Sequence, residues 1–107
     1  MQLRLVYTST LKPHVSDDDI AALVDKAATF NKHHGITGVL AVENLRVCQI
    51  LEGDADAVDA LFVTIRKDSR HGSINLLDRR EVANKHFQDW GMVCRPMIDI
   101  VTLAFAI

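Results

Sequence analysis

The chain has little of what builds covalent or membrane-bound frameworks. Its 107 residues include two cysteines, two prolines, one tryptophan and one tyrosine. Cys48 and Cys94 form no CxxC pair, so two reduced, buried thiols are expected rather than a disulfide. No apolar run approaches the ~18 residues that a membrane-spanning helix needs. The opening stretch, MQLRLVYTST, lacks the apolar core and cleavage site of a secretory leader. Basic runs are absent and the formal net charge is −2, which argues against nucleic acid as a partner. No cysteine stands at zinc-finger spacing from the histidines, and adjacent His33 and His34 on a helix would point about 100° apart, so no metal site is expected. Walker, GxGxxG and G-x-S-x-G motifs are missing, as are repeats, low-complexity segments and linkers. The expectation is a cytoplasmic protein that neither crosses nor binds a membrane.

What is present is an ordinary globular composition, 49% hydrophobic and 24% charged, long enough for one domain with a single core. Leu3, Leu5 and Tyr7 alternate with Arg4, Val6 and Thr8, the period-2 pattern of a strand. Ser16 is a candidate N-cap, and Asp17, Asp18 and Asp19 suit the positive end of a helix. Ile20, Leu23, Val24, Ala27, Ala28 and Asn31 follow at helical spacing, and Gly35 closes that helix. Ile36–Val42 and Val47–Leu51, joined by a short turn around Glu43 and Asn44, predict an antiparallel hairpin. Gly53-Asp54 opens a second helix with the stripe Val58, Leu61, Phe62, Ile65 continued by Asp68, and Gly72 marks its end. Ser73–Val82 and Met92–Arg95 predict two further strands. The order β-α-β-β-α-β-β predicts an α+β, ferredoxin-like sandwich: one mixed sheet with two helices on one face.

On that frame four polar residues face the core. Tyr7 and Gln49 share the strand faces that the helices cover, Asn31 lies on the buried stripe of the first helix, and Asp68 continues that of the second. Each can be satisfied locally, with the tyrosine hydroxyl at the rim and Asn31 and Asp68 turned to water. A mid-strand glutamine is the hardest to dismiss, because an unpartnered buried amide costs ~1–3 kcal/mol. Together the four suggest a cavity that takes a polar, planar ligand. Composition and spacing do not say which one.

Five stretches, in order, resemble one family: LVYTS at 5–9, FNKHHGITGVL at 30–40, QILEG at 49–53, IRKDSRH at 65–71 and FQDWGM at 87–92. The chain is similar to the BLUF domains, blue-light sensors that use a flavin, over residues 3–97. The resemblance implies an isoalloxazine ring between the two helices, against the sheet. It makes Tyr7 the photochemical tyrosine and Gln49 the switching glutamine. Asn31, Asp68, Arg70 and His71 match cofactor-binding positions, with Ile65 on one side of the ring and Ile20 or Val24 on the other. Trp90 and Met92 match residues that relay the signal along the last strand. FAD is the implied cofactor, with FMN the alternative. The implied partners are an unidentified downstream protein and a second copy of the chain, and no enzymatic activity is expected. Val47 stands where the family commonly has an aromatic residue, and Phe30 precedes Asn31 in place of a histidine.

A domain over 1–97 would leave the apolar run IVTLAFAI inside a tail, 98–107, expected to dock on the open sheet face or in a dimer, the alternative being the stub of a longer protein. Two rival readings use the same fold: a flavin-free interaction module, and an acylphosphatase-like hydrolase. The latter lacks an arginine or glycine nest in TSTLKPHVS.

Overall fold

Ser16 begins the first helix by a reciprocal cap: its hydroxyl accepts from the Asp19 N–H at 3.1 Å, and the Asp19 carboxylate accepts from the Ser16 N–H at 2.9 Å. This capping box satisfies two backbone donors that would otherwise be orphaned. In the computed structural model, which describes residues 1–84 and 93–94, the elements run β1 (Gln2–Leu11), α1 (Asp17–His33), β2 (Thr37–Glu43), β3 (Arg46–Asp54), α2 (Ala55–Lys67), β4 (His71–Val82) and β5 (Val93–Cys94). The helix α1 stops as expected near Gly35, which takes φ +65° just past the cap at His34. The Ile36 N–H then returns to the Asn31 carbonyl at 2.9 Å, the closing bond of a Schellman turn.

The five strands form one sheet in the order β4-β1-β3-β2-β5. All pairings are antiparallel except β2 with β5, which is parallel. The sheet is therefore mixed, and the expected βαββαββ architecture holds. The turn of the β2–β3 hairpin sits one residue later than predicted: Asn44 and Leu45 both take positive φ, at 51° and 69°, the two-residue geometry that matches strand twist.

Tyr7 pairs with Gln49, Gln49 with Leu40, and Leu40 with Cys94. A single rung thus crosses β1, β3, β2 and β5. On the helix-covered side, Leu3, Leu5, Leu40, Val47 and Leu51 pack with Val58 and Phe62 of α2.

Two expectations need correction. The second helix does not run to Gly72; it ends at Lys67, and Gly72 lies inside β4. Asp68 is the C-cap in an extended conformation, φ −70° and ψ 122°, not a continuation of the buried stripe. The cause is local: its carboxylate accepts the Arg70 backbone N–H at 2.9 Å, an Asx-type bond that competes with helix continuation. The sheet also has no wet face along its central strands. Arg4, Val6, Val39, Ile50 and Glu52, opposite the helices, are all buried. No helix among the described residues is long and apolar enough to cross a membrane.

Candidate functional site

Between the helices and the sheet lies a cavity of about 390 Å³. Its walls are apolar: Ile20, Leu23, Val24 and Ala27 from α1, Leu61 and Ile65 from α2, and Leu40, Val42 and Val47 from the sheet. Polar groups enter from both the strands and the helix ends. Tyr7 and Gln49 come from facing positions of β1 and β3, Asn31 from the last turn of α1, Asp68 and Arg70 from the α2–β4 connection, and His71 from the first position of β4.

The phenol of Tyr7 donates to Gln49 Oε1. Both side chains are buried. Burial pushes the Tyr7 phenol well above its ordinary pKa, with smaller contributions from Cys48 and Asp68, so the hydroxyl stays protonated and its donor role follows. That orients the amide: its oxygen accepts from the tyrosine, and its nitrogen is the donor end. The ring of Tyr7 is held by Phe62, centroids 5.4 Å apart and tilted 49°, and by the edge of His71 at 6.5 Å.

His71 is fixed at both nitrogens. Nε2 lies 2.7 Å from the Ile65 carbonyl and Nδ1 2.7 Å from Ser9 Oγ. A carbonyl only accepts, so Nε2 carries the hydrogen, and in the neutral ring Nδ1 accepts from the serine hydroxyl. Asp68 and Arg70 form a fork at the rim. Arg70 Nε is 2.9 and 3.1 Å from the two carboxylate oxygens, and its Nη2 also donates to Oδ2. These bonds, from the guanidinium first of all, hold Asp68 down at about 2, and Asp68 in turn raises Arg70. Asn31 is 1% exposed, which rules out the reading that it faces water.

The structure thus brings Tyr7, Ile20, Val24, Asn31, Gln49, Ile65, Asp68, Arg70 and His71 around one cavity. Trp90 and Met92, assigned to the relay, and the tail 98–107 lie outside the described residues. Sequence reasoning missed Ser9 and Phe62 as supports of His71 and Tyr7. Ser9 was accessible by parity, since it lies two residues after Tyr7 on the same strand face; the Phe62 contact depends on how α2 sits over the sheet. Val47 lines the cavity where an aromatic residue was expected from the family, and Phe30 lies at its mouth, 44% exposed and stacked on His34 at 4.0 Å. Among the described residues no group of His, Cys, Asp or Glu is placed to hold a metal ion.

Residues 2–93 match the family described as BLUF, sensors of blue-light using FAD. The chain is 37% identical over 70 residues to the photoactivated adenylate cyclase subunit beta of Euglena gracilis, covering 65% of this chain and 8% of that protein. It therefore spans a small fraction of the curated relatives it matches. Among solved structures, it superposes on BlrB, a BLUF protein in its dark state, with a TM-score of 0.85 at 28% identity over 98% of this chain and 80% of that one. BlrP1 of Klebsiella pneumoniae with FMN and cyclic diGMP gives 0.84 at 35% identity, over 90% of this chain and 26% of that one. The chain belongs to the BLUF family of flavin-using blue-light sensors.

Proposed function

We propose that Tyr7 and Gln49 form the photochemical switch of this sensor, with the flavin ring in the cavity between α1 and α2. The observation that carries the reading is the buried Tyr7–Gln49 hydrogen bond at the base of an apolar slot. Branched aliphatic side chains of both helices and hydrogen-bonding groups line the same slot, a lining that suits a flat ring with a polar edge. Its volume lies in the ordinary range for small-ligand sites. Asn31, Asp68, Arg70 and His71 are the groups we assign to the ring's polar edge, and Ile20, Val24 and Ile65 to its faces.

A bound flavin, once excited by blue light, would supply the oxidant that takes an electron and its proton from a nearby phenol and then returns both to it. Tyr7 is the phenol placed to give up an electron with its proton, and Gln49 is the group that already holds that proton's hydrogen bond. When the proton leaves the phenol, the amide oxygen loses its donor. Gln49 then restores a bond to Tyr7 by rotating about its side chain or by changing tautomer. Either change alters whether the amide donates or accepts toward the cavity, and a changed hydrogen bond at the ring's edge shifts the absorption band. Glutamate in this place would serve only when protonated.

The rung Tyr7–Gln49–Leu40–Cys94 leads from the switch to β5. This supports a relay through the last strand, with Trp90 and Met92 just before it in sequence. The output we assign is an effector protein or a second copy of the chain; light-regulated adenylate cyclases among the relatives are consistent with such an arrangement. FAD is the cofactor we assign, on the family's description. The test is a light-minus-dark absorption spectrum of the purified protein, with the chromophore extracted and identified. A reversible red shift and an extracted FAD are expected. A colourless protein that takes up no flavin on reconstitution overturns the reading.

A further inference from the structure

Two cross-strand pairs tie β1 to β3 on opposite faces of the sheet. Tyr7 and Gln49 face the helices; Arg4 and Glu52, three residues away on each strand, face the other way. Arg4 Nε lies 2.8 Å from Glu52 Oε2, with the two side chains 7% and 0% exposed. The other ion pairs among the described residues involve side chains 27–48% exposed. A buried pair of charges gives up its hydration, and packed apolar residues of similar size often do as well or better. Its retention in the middle of a sheet asks for a function other than stability.

The burial pattern of the same strands supplies one. Leu3–Tyr7 on β1 and Val47–Gly53 on β3 are buried without interruption. A sheet with one wet face selects its register because a one-residue slip throws the apolar set into water. Here a slip exchanges one covered face for another, so the apolar pattern discriminates weakly. The charges discriminate strongly. One step of slip turns Arg4 and Glu52 to opposite faces and leaves each a buried charge parted from the other. Thr37 of β2 stands opposite Glu52 and Arg80 of β4 opposite Arg4, so this polar rung spans four strands.

We propose that the Arg4–Glu52 pair is the register key that keeps Tyr7 opposite Gln49, and so positions the switch without touching it. This rests on the assignment of Tyr7 and Gln49 as the photochemical pair. The key works through exclusion of the wrong pairings, the best-attested use of buried polar groups.

The experiment compares the flavin-loaded wild type with the apolar double variant Arg4→Met/Glu52→Leu and the charge-reversed double variant Arg4→Glu/Glu52→Arg. Two quantities are read: the number of backbone amide resonances per residue of β1 and β3 in the dark, and the light-induced red shift per bound flavin. Wild type gives one set of resonances. The apolar variant is expected to give more than one, with the shift per flavin cut by about half when two registers lie close in free energy. Charge reversal restores one set and the full shift. Should the apolar variant not fold, Glu52→Gln takes its place with the same expectations. An apolar or Glu52→Gln protein with a single set of resonances and the wild-type shift per flavin overturns the proposal, whatever its melting temperature. A wild type that binds flavin without any light-induced shift overturns the photoswitch instead, while the resonance count still tests the register.

Discussion

At the scale of single residues, the chemistry sits in one hydrogen bond. Tyr7→Phe removes the hydroxyl that donates to Gln49 Oε1, and keeps the ring that packs on Phe62 and His71. Flavin binding is expected to survive and the reversible red shift to vanish, at a stability cost of about 1 kcal/mol for the lost bond. A light-minus-dark spectrum checks this, and a fully photoactive variant refutes the role of Tyr7. Gln49→Leu should abolish the shift in the same way, since the leucine neither accepts from the phenol nor donates into the cavity. Asp68 carries a pH signature. Its pKa is lowered from 3.8 to about 2, so the pair with Arg70 stabilises the fold fully above the ordinary value and stops doing so as pH falls through about 2. Both side chains are partly solvated, which limits the effect to ~0.5–1 kcal/mol. Melting temperature against pH between 4 and 2 should therefore fall less steeply for Asp68→Asn than for wild type, provided the two are compared at the same salt.

At the scale of elements, the ends matter more than the middles. Ser16→Ala breaks one half of the capping box of α1 and should cost about 1 kcal/mol, seen as a lower urea midpoint with an unchanged slope. At the other end, a methyl group on Gly35 would meet nothing within 4 Å. The penalty for Gly35→Ala is therefore backbone alone, roughly 1 kcal/mol for a non-glycine residue at φ +65°. Gly53 is the opposite case. Its φ is unremarkable, but a Cβ would lie 3.0 Å from the Gly35 carbonyl oxygen. The last residue of QILEG is small because the end of β3 touches the corner between α1 and β2. Gly53→Ala should shift that corner, and with it Asn31, loosening flavin more than Gly35→Ala does; relative flavin affinities of the two variants decide it.

At the scale of the whole molecule, cofactor and fold are linked. The cavity lies between both helices and the sheet, so a flavin bound there stabilises the folded state and not the unfolded chain. With free flavin at about 100 times its dissociation constant, the gain is ~2.7 kcal/mol, and the melting temperature should rise with flavin concentration. Truncating a core residue away from the cavity separates the two effects. Leu51 is fully buried on the helix-covered face and does not line the cavity. Leu51→Ala should cost ~2–5 kcal/mol with little change in the light-induced shift of the molecules that remain folded.

Much of this was settled by the order of residues alone. Caps are read within a few residues of chain, so Ser16, the three aspartates and Gly35 located α1 without any tertiary information. Period-2 parity put Tyr7 and Gln49 on the helix-covered face, and the five stretches from LVYTS to FQDWGM, in order, marked the family. Tertiary structure decided what depends on pairings remote in sequence. Tyr7 and Gln49 are 42 residues apart, Arg4 and Glu52 48, Ser9 and His71 62. Their contacts exist only once β1 has taken its register against β3 and β4. The burial of both sheet faces escaped the strand pattern for the same reason: alternation tells which residues share a face, and only the packing of other elements tells whether that face meets water. Asp68 left its helix because a side-chain bond to the Arg70 N–H outcompeted one more helical turn, a choice that spacing cannot see.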